Sequence, residues 1–166
     1  MTGALHRVGQ FWRHASARVD ARERATVQQI LGPTLAPIFF ELPLNDQRHG
    51  LDVLQTVDQQ EPAPSLLLRQ AALLHDAGKQ GAAFSVIDRS LTVFLAAVSP
   101  RLLNGLLAGR PAFARRFQIY ANHAAIGAER LRAAGAHDLA AIVAEHHAPH
   151  PGLEATEQLQ RADRRN

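Results

Sequence analysis

Apolar residues recur along this chain at spacings of three and four, and period-two alternation is nowhere sustained, so the pattern predicts helices and almost no strand. Ala, Leu, Arg, Gln and Glu dominate, all residues that lose little freedom in a helix. Gly32-Pro33, Pro37, Pro43, Pro62, Pro64, Gly78 to Gly81, Pro100, Gly109 to Pro111, Gly135 and Pro149 to Gly152 punctuate the sequence. Between them lie roughly eight to ten helical stretches of ordinary length. The expected architecture is therefore all-α: a compact single-domain bundle over 1–166, with 1–44 as an N-terminal helical scaffold and 45–166 as the core that carries the chemistry. No internal repeat, low-complexity tract or interdomain linker interrupts it. The first forty residues place Leu5, Val8, Phe11 and Trp12 on one face and several arginines on the other. That face reads as packing scaffold, with a basic surface for RNA or substrate as the alternative.

Composition narrows the chemistry. A chain of 166 residues buries a core without staples, so a metal site in it is read as functional first. The absence of cysteine excludes disulfides, thiolate metal sites and cysteine nucleophiles, and fits a reducing cytosol. No apolar run approaches the length of a bilayer span, so the expectation is a soluble cytoplasmic protein without a membrane partner. The net charge of +3 and a pI near 10.5 are compatible with phosphate-bearing partners. Lys79 is the only lysine among eighteen cationic residues, which suggests a position that needs a compact point charge rather than the planar fork of arginine.

Nine histidines invite a metal hypothesis, and periodicity sorts them. In the segment from Ser65 to Lys79, Leu68, Ala71, Ala72 and His75 share one helical stripe and Asp76 follows four after Ala72. A histidine and a carboxylate aimed at the core are costly unless satisfied, and a metal ion satisfies both. Gly78 is expected to end that helix, leaving Lys79 beyond it to swing toward an anion. His146 and His147 lie at the edge of the Leu139, Ile142 and Val143 stripe and read as paired ligands, or else as a surface pair at a frayed helix end. His123 shares a stripe with Ile119, Ile126, Gly127 and Leu131, and Gly127 would let another backbone come close. His49 follows Asn45 and Asp46, plausible N-caps, which puts it in a first turn where the helix dipole favours neutral imidazole. Asp163, four residues after Leu159, has the weakest periodic support. His6, His14 and His150 fall outside such stripes, and the dyad His137-Asp138 reads as a helix cap.

The ordered series His49, LLHDAGK through His75, Asp76 and Lys79, HAAIGAERL from His123, EHH at His146 and His147, and LQRAD ending at Asp163 resembles the HD-domain phosphohydrolases. It is most similar to the branch that contains the HDIG and HD-GYP phosphodiesterases, over roughly Asp46 to Asp163. That resemblance implies a two-metal centre. His49, His75, Asp76 and Asp163 would bind one ion, Asp76 would bridge to a second held by His123, His146 and His147, and Lys79 would contact the phosphate. The GYP signature after the His pair is absent, and the pattern lacks likeness to the (p)ppGpp hydrolases. An extra helical insert around Leu91 to Phe117 separates Asp76 from His123 and reads as a lid or dimer surface.

Such a ligand set would cancel half the charge of two divalent ions. The remainder attracts a shared hydroxide and a phosphate oxygen, with ions about 3.5 to 4 Å apart stabilising in-line displacement. Asp76 and Lys79 are accordingly the expected catalytic residues, Lys79 through charge on the phosphate oxygens. Imidazole-rich sites without thiolate suit manganese, iron, cobalt, nickel or zinc, and manganese or iron is expected here. The expected activity is hydrolysis of a nucleotide phosphate ester, a diester before a monoester. Cyclic dinucleotides, short RNA or linear dinucleotides, and nucleoside monophosphates remain open as substrates. A non-catalytic helical module that binds RNA or protein is the competing class. Oligomeric state is not legible.

Overall fold

The computed structural model describes residues 18–82 and 86–166. Among them it contains nine α-helices, one 3-10 turn and no strand, as the periodicity predicts. The helices are α1 (Ala21–Phe40), α2 (Leu44–Gln60), α3 (Leu66–Leu74), α4 (Val86–Val98), α5 (Pro100–Gly109), α6 (Pro111–Ala121), α7 (His123–Ala133), α8 (His137–Glu145) and α9 (Glu154–Asp163), and the 3-10 turn Ala77–Lys79 follows α3. His6, His14 and the apolar stripe from Leu5 to Trp12 lie outside the described residues. No helix among the described residues is long and apolar enough to cross a membrane.

The short helix α3 is the hub, because α1, α2, α8 and α9 all pack on it. Ser65 starts it by accepting a hydrogen bond from the Leu68 amide at 3.1 Å. Apolar residues occupy nearly every later position, and Leu68, Ala71, Ala72, Leu73 and Leu74 are all buried. Only Leu66, Leu67, Arg69 and Gln70 keep some exposure, and Arg69 pairs with Asp58 at the surface, so the rest of the helix is held by the core. Burying each leucine contributes about 1.5–3 kcal/mol relative to exposing it. The last turn of α3 therefore cannot move independently of the core, and whatever follows it is held rigidly.

The N-terminal part of this core differs in one respect from the reading of glycine and proline as separators. Asp20 and Glu23 form a reciprocal cap, with the Glu23 amide donating to Asp20 Oδ1 at 2.8 Å and the Asp20 amide donating to Glu23 Oε2 at 3.0 Å. The chain then bends at Gly32 (φ 65°, ψ −178°) and continues helically through Pro33 and Pro37. Positive φ is tolerated because glycine lacks Cβ, and Pro33 starts the second half where no amide donor is needed. Gln47 seals the end of α1, donating from Nε2 to the carbonyls of Leu42 (2.8 Å) and Phe40 (3.2 Å).

The helical segment expected between Asp76 and His123 is present as α4 to α6. It carries its own small cluster around Ala82 and Phe113, with Leu106, Leu107, Phe117, Ile119 and Tyr120 packed against it. Val93, Phe94, Val98 and Leu102 on α4 and α5 are exposed. α6 returns the chain to the 3-10 turn, and α7 and α8 then pack as a pair beside α3. The return delivers His123 to the neighbourhood of His75.

Candidate metal centre

The helix carrying the His-Asp dyad ends earlier than the sequence suggests. α3 stops at Leu74, His75 caps it, and Asp76 adopts φ −94° and ψ 13° before the 3-10 turn Ala77–Lys79. Those angles lie in the bridge region, where regular helices stop and many active-site residues sit. Gly78 is accordingly no helix terminator: its backbone is not left-handed. Its function is close approach. A Cβ on Gly78 would stand 2.0 Å from the His123 carbonyl oxygen and 2.7 Å from the Gly127 amide nitrogen. The role expected for Gly127 holds, because a Cβ there would meet the Gly78 nitrogen at 2.9 Å. Two side-chain-free positions thus let the turn lie on the first turn of α7.

That contact brings Asp76 to His123. Asp76 Oδ1 is 3.3 Å from His123 Nε2, while Oδ2 faces the other way, 3.6 Å from His75 Nε2 and 4.0 Å from His49 Nε2. His49 Nε2 lies 3.2 Å from His75 Nε2 and 2.9 Å from Asp163 Oδ1. Asp163 Oδ1 is also 3.7 Å from His75 Nε2. On the opposite side, His123 Nε2 stands 3.3 Å from His146 Nε2 and 3.0 Å from His147 Nε2. All seven residues singled out in sequence as ligands therefore converge. Two groups have donor atoms close enough to share an ion, His49, His75 and Asp76 in one and His123, His146 and His147 in the other.

The donor set tests whether cations fit. The Nδ1 atoms of His75, His123 and His146 face the carbonyls three residues earlier, Ala72 at 3.0 Å, Tyr120 at 2.6 Å and Val143 at 2.6 Å. A carbonyl only accepts, so each Nδ1 carries the proton and each Nε2 presents a lone pair to the site. The Nε2 atoms of His123 and His146 then oppose each other, lone pair to lone pair, an arrangement that a cation between them relieves. Two ligands at about 2.1 Å and a right angle from one ion would lie about 3 Å apart, the spacing found here.

Charge states agree with that fit. Burial lowers the His75 pKa and pushes His146 down to about 3, so both rings are neutral at physiological pH. Burial and the neighbouring His123 also lower His147. Burial opposes ionisation of Asp76, yet the positive charge packed against it, above all the Lys79 ammonium on Oδ2, holds it well below the usual carboxylate range. Asp163 resists burial in the same way, held at about 2 chiefly by its hydrogen bond to His49. His49 departs from expectation. Its helix starts at Leu44 without a side-chain cap, so His49 sits in the second turn and not the first, where the dipole is weaker. Burial lowers its pKa, but Asp163 and Asp76 outweigh burial and raise it.

Lys79 also differs from the free amine pictured beyond a helix end. It is buried, with Nζ 2.5 Å from Asp76 Oδ2 and 5.9 Å from the centroid of the Tyr120 ring. The stripe expected to run from Ile119 through His123 is broken, because α6 ends at Ala121 and His123 begins α7. The dyad His137-Asp138 starts α8 exposed and forms no side-chain cap hydrogen bond, so it belongs neither to the centre nor to a cap. His150 is exposed in its turn.

Residues that periodicity did not single out support the pair His146-His147. Glu145 Oε2 accepts the Gly152 amide at 3.0 Å, and Gln160 Nε2 donates to the Ala148 carbonyl at 2.8 Å. Both bonds fix the irregular loop after α8. Tyr120 stacks over His123 with ring centroids 5.9 Å apart. No sequence signal marked these contacts, since each depends on where a loop folds back.

An all-helical bundle that buries a His-Asp dyad against further histidines and a distal aspartate defines a class. The HD domain family matches residues 48–165, and the chain belongs to that family, whose members are mostly metal-dependent hydrolases. No curated protein and no solved structure matches the chain.

Proposed function

We propose that the chain is a metal-dependent phosphohydrolase that cleaves a nucleotide phosphate ester, a diester in preference to a monoester, through a centre holding two divalent ions. The observation that carries the reading is the division of Asp76, which turns one carboxylate oxygen toward the His49 and His75 side and the other toward His123. In the proposal His49, His75, Asp76 and Asp163 hold one ion, and Asp76, His123, His146 and His147 hold the other, with manganese or iron the metals that this imidazole-rich set suits. When bound, the ions supply Lewis acidity toward the phosphate and lower the pKa of water.

The chain's own residues do the rest. The Nδ1 bonds of His75, His123 and His146 fix their rings, so the donor atoms wait in place and little reorganisation is needed. Lys79 offers three protons, of which Asp76 takes one. Its remaining charge lies in a buried setting where it acts strongly on a phosphate oxygen. Preference for a diester, and a place near the HDIG and HD-GYP branch, rest on the order and spacing of the seven ligand residues.

The protein reconstituted with Mn2+ is expected to hydrolyse bis(p-nitrophenyl) phosphate faster than p-nitrophenyl phosphate, to lose turnover in EDTA and to regain it with added Mn2+. Turnover that survives EDTA, or that His75→Ala leaves intact, contradicts the reading.

A further inference from the structure

We infer that Arg164 is the anion-binding residue at the entrance of this site, taking the non-bridging oxygens of the substrate phosphate. The inference rests on the proposed phosphohydrolase reading and adds a residue that neither motif nor family match assigns.

A cavity of about 240 Å3 opens beside the centre. Its wall includes His146, His147 and Asp163 from the centre itself, and Arg164 together with Gln160 from α9. Lys79 is not part of that wall; it is turned inward onto Asp76. Arg164 is thus the cation that an anion meets on the way to the ligand histidines. It follows Asp163 directly and caps α9. The aspartate faces His49, and the arginine one residue later falls on a different side of the same helix end.

Arg164 is exposed, and three features mark its guanidinium as a binding group. It pairs with no carboxylate among the described residues, whereas neighbouring Arg161 leans on Glu61. Its Nη1 donates to Gln160 Oε1 at 3.4 Å, and Gln160 is itself tied to the Ala148 carbonyl at 2.8 Å, so the arginine is aimed from a braced support. That bond uses one of five donors and leaves the outer edge of the fork for two parallel bonds to phosphate oxygens. A bare cation this close to a metal centre repels the ions; an anion placed between them is attracted by both.

The cavity also bounds what enters. About 240 Å3 is smaller than the roughly 300–1,000 Å3 of pockets that engulf a drug-sized ligand. A phosphate group fits the space that these side chains line.

The test uses the full chain loaded with Mn2+ and inorganic phosphate as probe, with binding followed by calorimetry and turnover of p-nitrophenyl phosphate and its bis ester followed in parallel. Arg164→Ala is expected to weaken phosphate binding and raise KM by roughly ten- to a hundred-fold, the usual worth of charge-assisted bonds, with manganese content and circular dichroism unchanged. Arg164→Lys should recover part of the loss, because it restores charge but not the fork. Phosphate affinity and KM within twofold of wild type in Arg164→Ala would overturn the inference while leaving the hydrolase reading intact. Loss of bound manganese in that variant would overturn it too, by making Arg164 a support of the centre. Arg164-dependent phosphate binding in a chain that turns over neither ester would uphold the anion site and remove the hydrolase reading.

Discussion

In the proposed two-ion centre, Asp76→Asn is expected to release both ions and to lower turnover by roughly a thousandfold or more. Removing an outer-shell partner of a metal site commonly costs 10–100-fold in affinity or activity, and Asp76 lies inside that shell on both sides of the centre. The amide keeps the shape and one acceptor but surrenders the negative charge that faces His75 and His49 through Oδ2 and His123 through Oδ1. It also strips Lys79 of its counter-charge in a buried position. Breaking a buried pair from one side costs about 3–5 kcal/mol, so the metal-free variant should also melt earlier than metal-free wild type. His147→Ala is the informative contrast. His147 is at the exposed rim and belongs to the second group only, so its loss should release one ion and spare the other. Metal analysis and melting curves on both variants check this; retention of both ions by Asp76→Asn would show that the carboxylate is not shared.

Gly78→Ala should be the most destabilising of the glycine-to-alanine changes among the described residues. Its Cβ would sit 2.0 Å from the His123 carbonyl oxygen and 2.8 Å from the His123 carbonyl carbon. Both are backbone atoms in the first turn of α7, so no rotamer change relieves the clash. Overpacking of a core costs about 1–3 kcal/mol and occasionally more, and a clash against backbone belongs at or above that upper end. For a chain of this size about 3 kcal/mol corresponds to a fall in Tm of about 6–12 °C. Relief requires α7 to move away, which carries His123 off Asp76 and weakens the second ion group along with the fold. Gly127→Ala should be milder, since its Cβ meets the Gly78 nitrogen at 2.9 Å and Val143 Cγ1 only at 3.4 Å. Gly105→Ala, in α5 with nothing within 4 Å, should raise stability by about 0.5–1 kcal/mol through helix propensity alone. Equal melting temperatures for the three variants would refute the close-approach role of Gly78.

Periodicity made the helical class and the ligand residues readable for a physical reason. A polar group on an apolar stripe is anomalous, and His75, Asp76 and His146 each stand where burial without a partner would be costly. Gly127 was legible as a close approach because it follows His123 by one turn. Other features escaped because they are set by tertiary contact. Gly78 resembles a helix stop in sequence, yet the neighbour that demands glycine is the carbonyl of His123, distant in the chain. Pro43 begins α2 where Asn45 and Asp46 had the better capping chemistry, and this moved His49 two to three residues further from the helix end. Lys79 stood out by composition, but its burial against Asp76 depends on the 3-10 turn that replaces the expected helix end. Arg164 carries no periodic signal at all, since its position follows from where the loop after His147 folds against Gln160.

The fold thus assembles the centre from segments that are individually ordinary. α3 supplies rigidity, the Gly78 and Gly127 contact supplies proximity, and the three Nδ1 bonds supply ring orientation. Each contribution is testable apart from the chemistry, because stability, metal affinity and turnover respond to different residues.

Metal content of the wild-type protein, purified without chelator and analysed per chain by mass spectrometry, reads the central proposition most directly. Two ion groups that share Asp76 predict about two transition-metal ions per chain, removed by EDTA and restored on adding Mn2+. A chain that carries no ion and takes up none on addition of Mn2+, Fe2+ or Zn2+ would contradict the account.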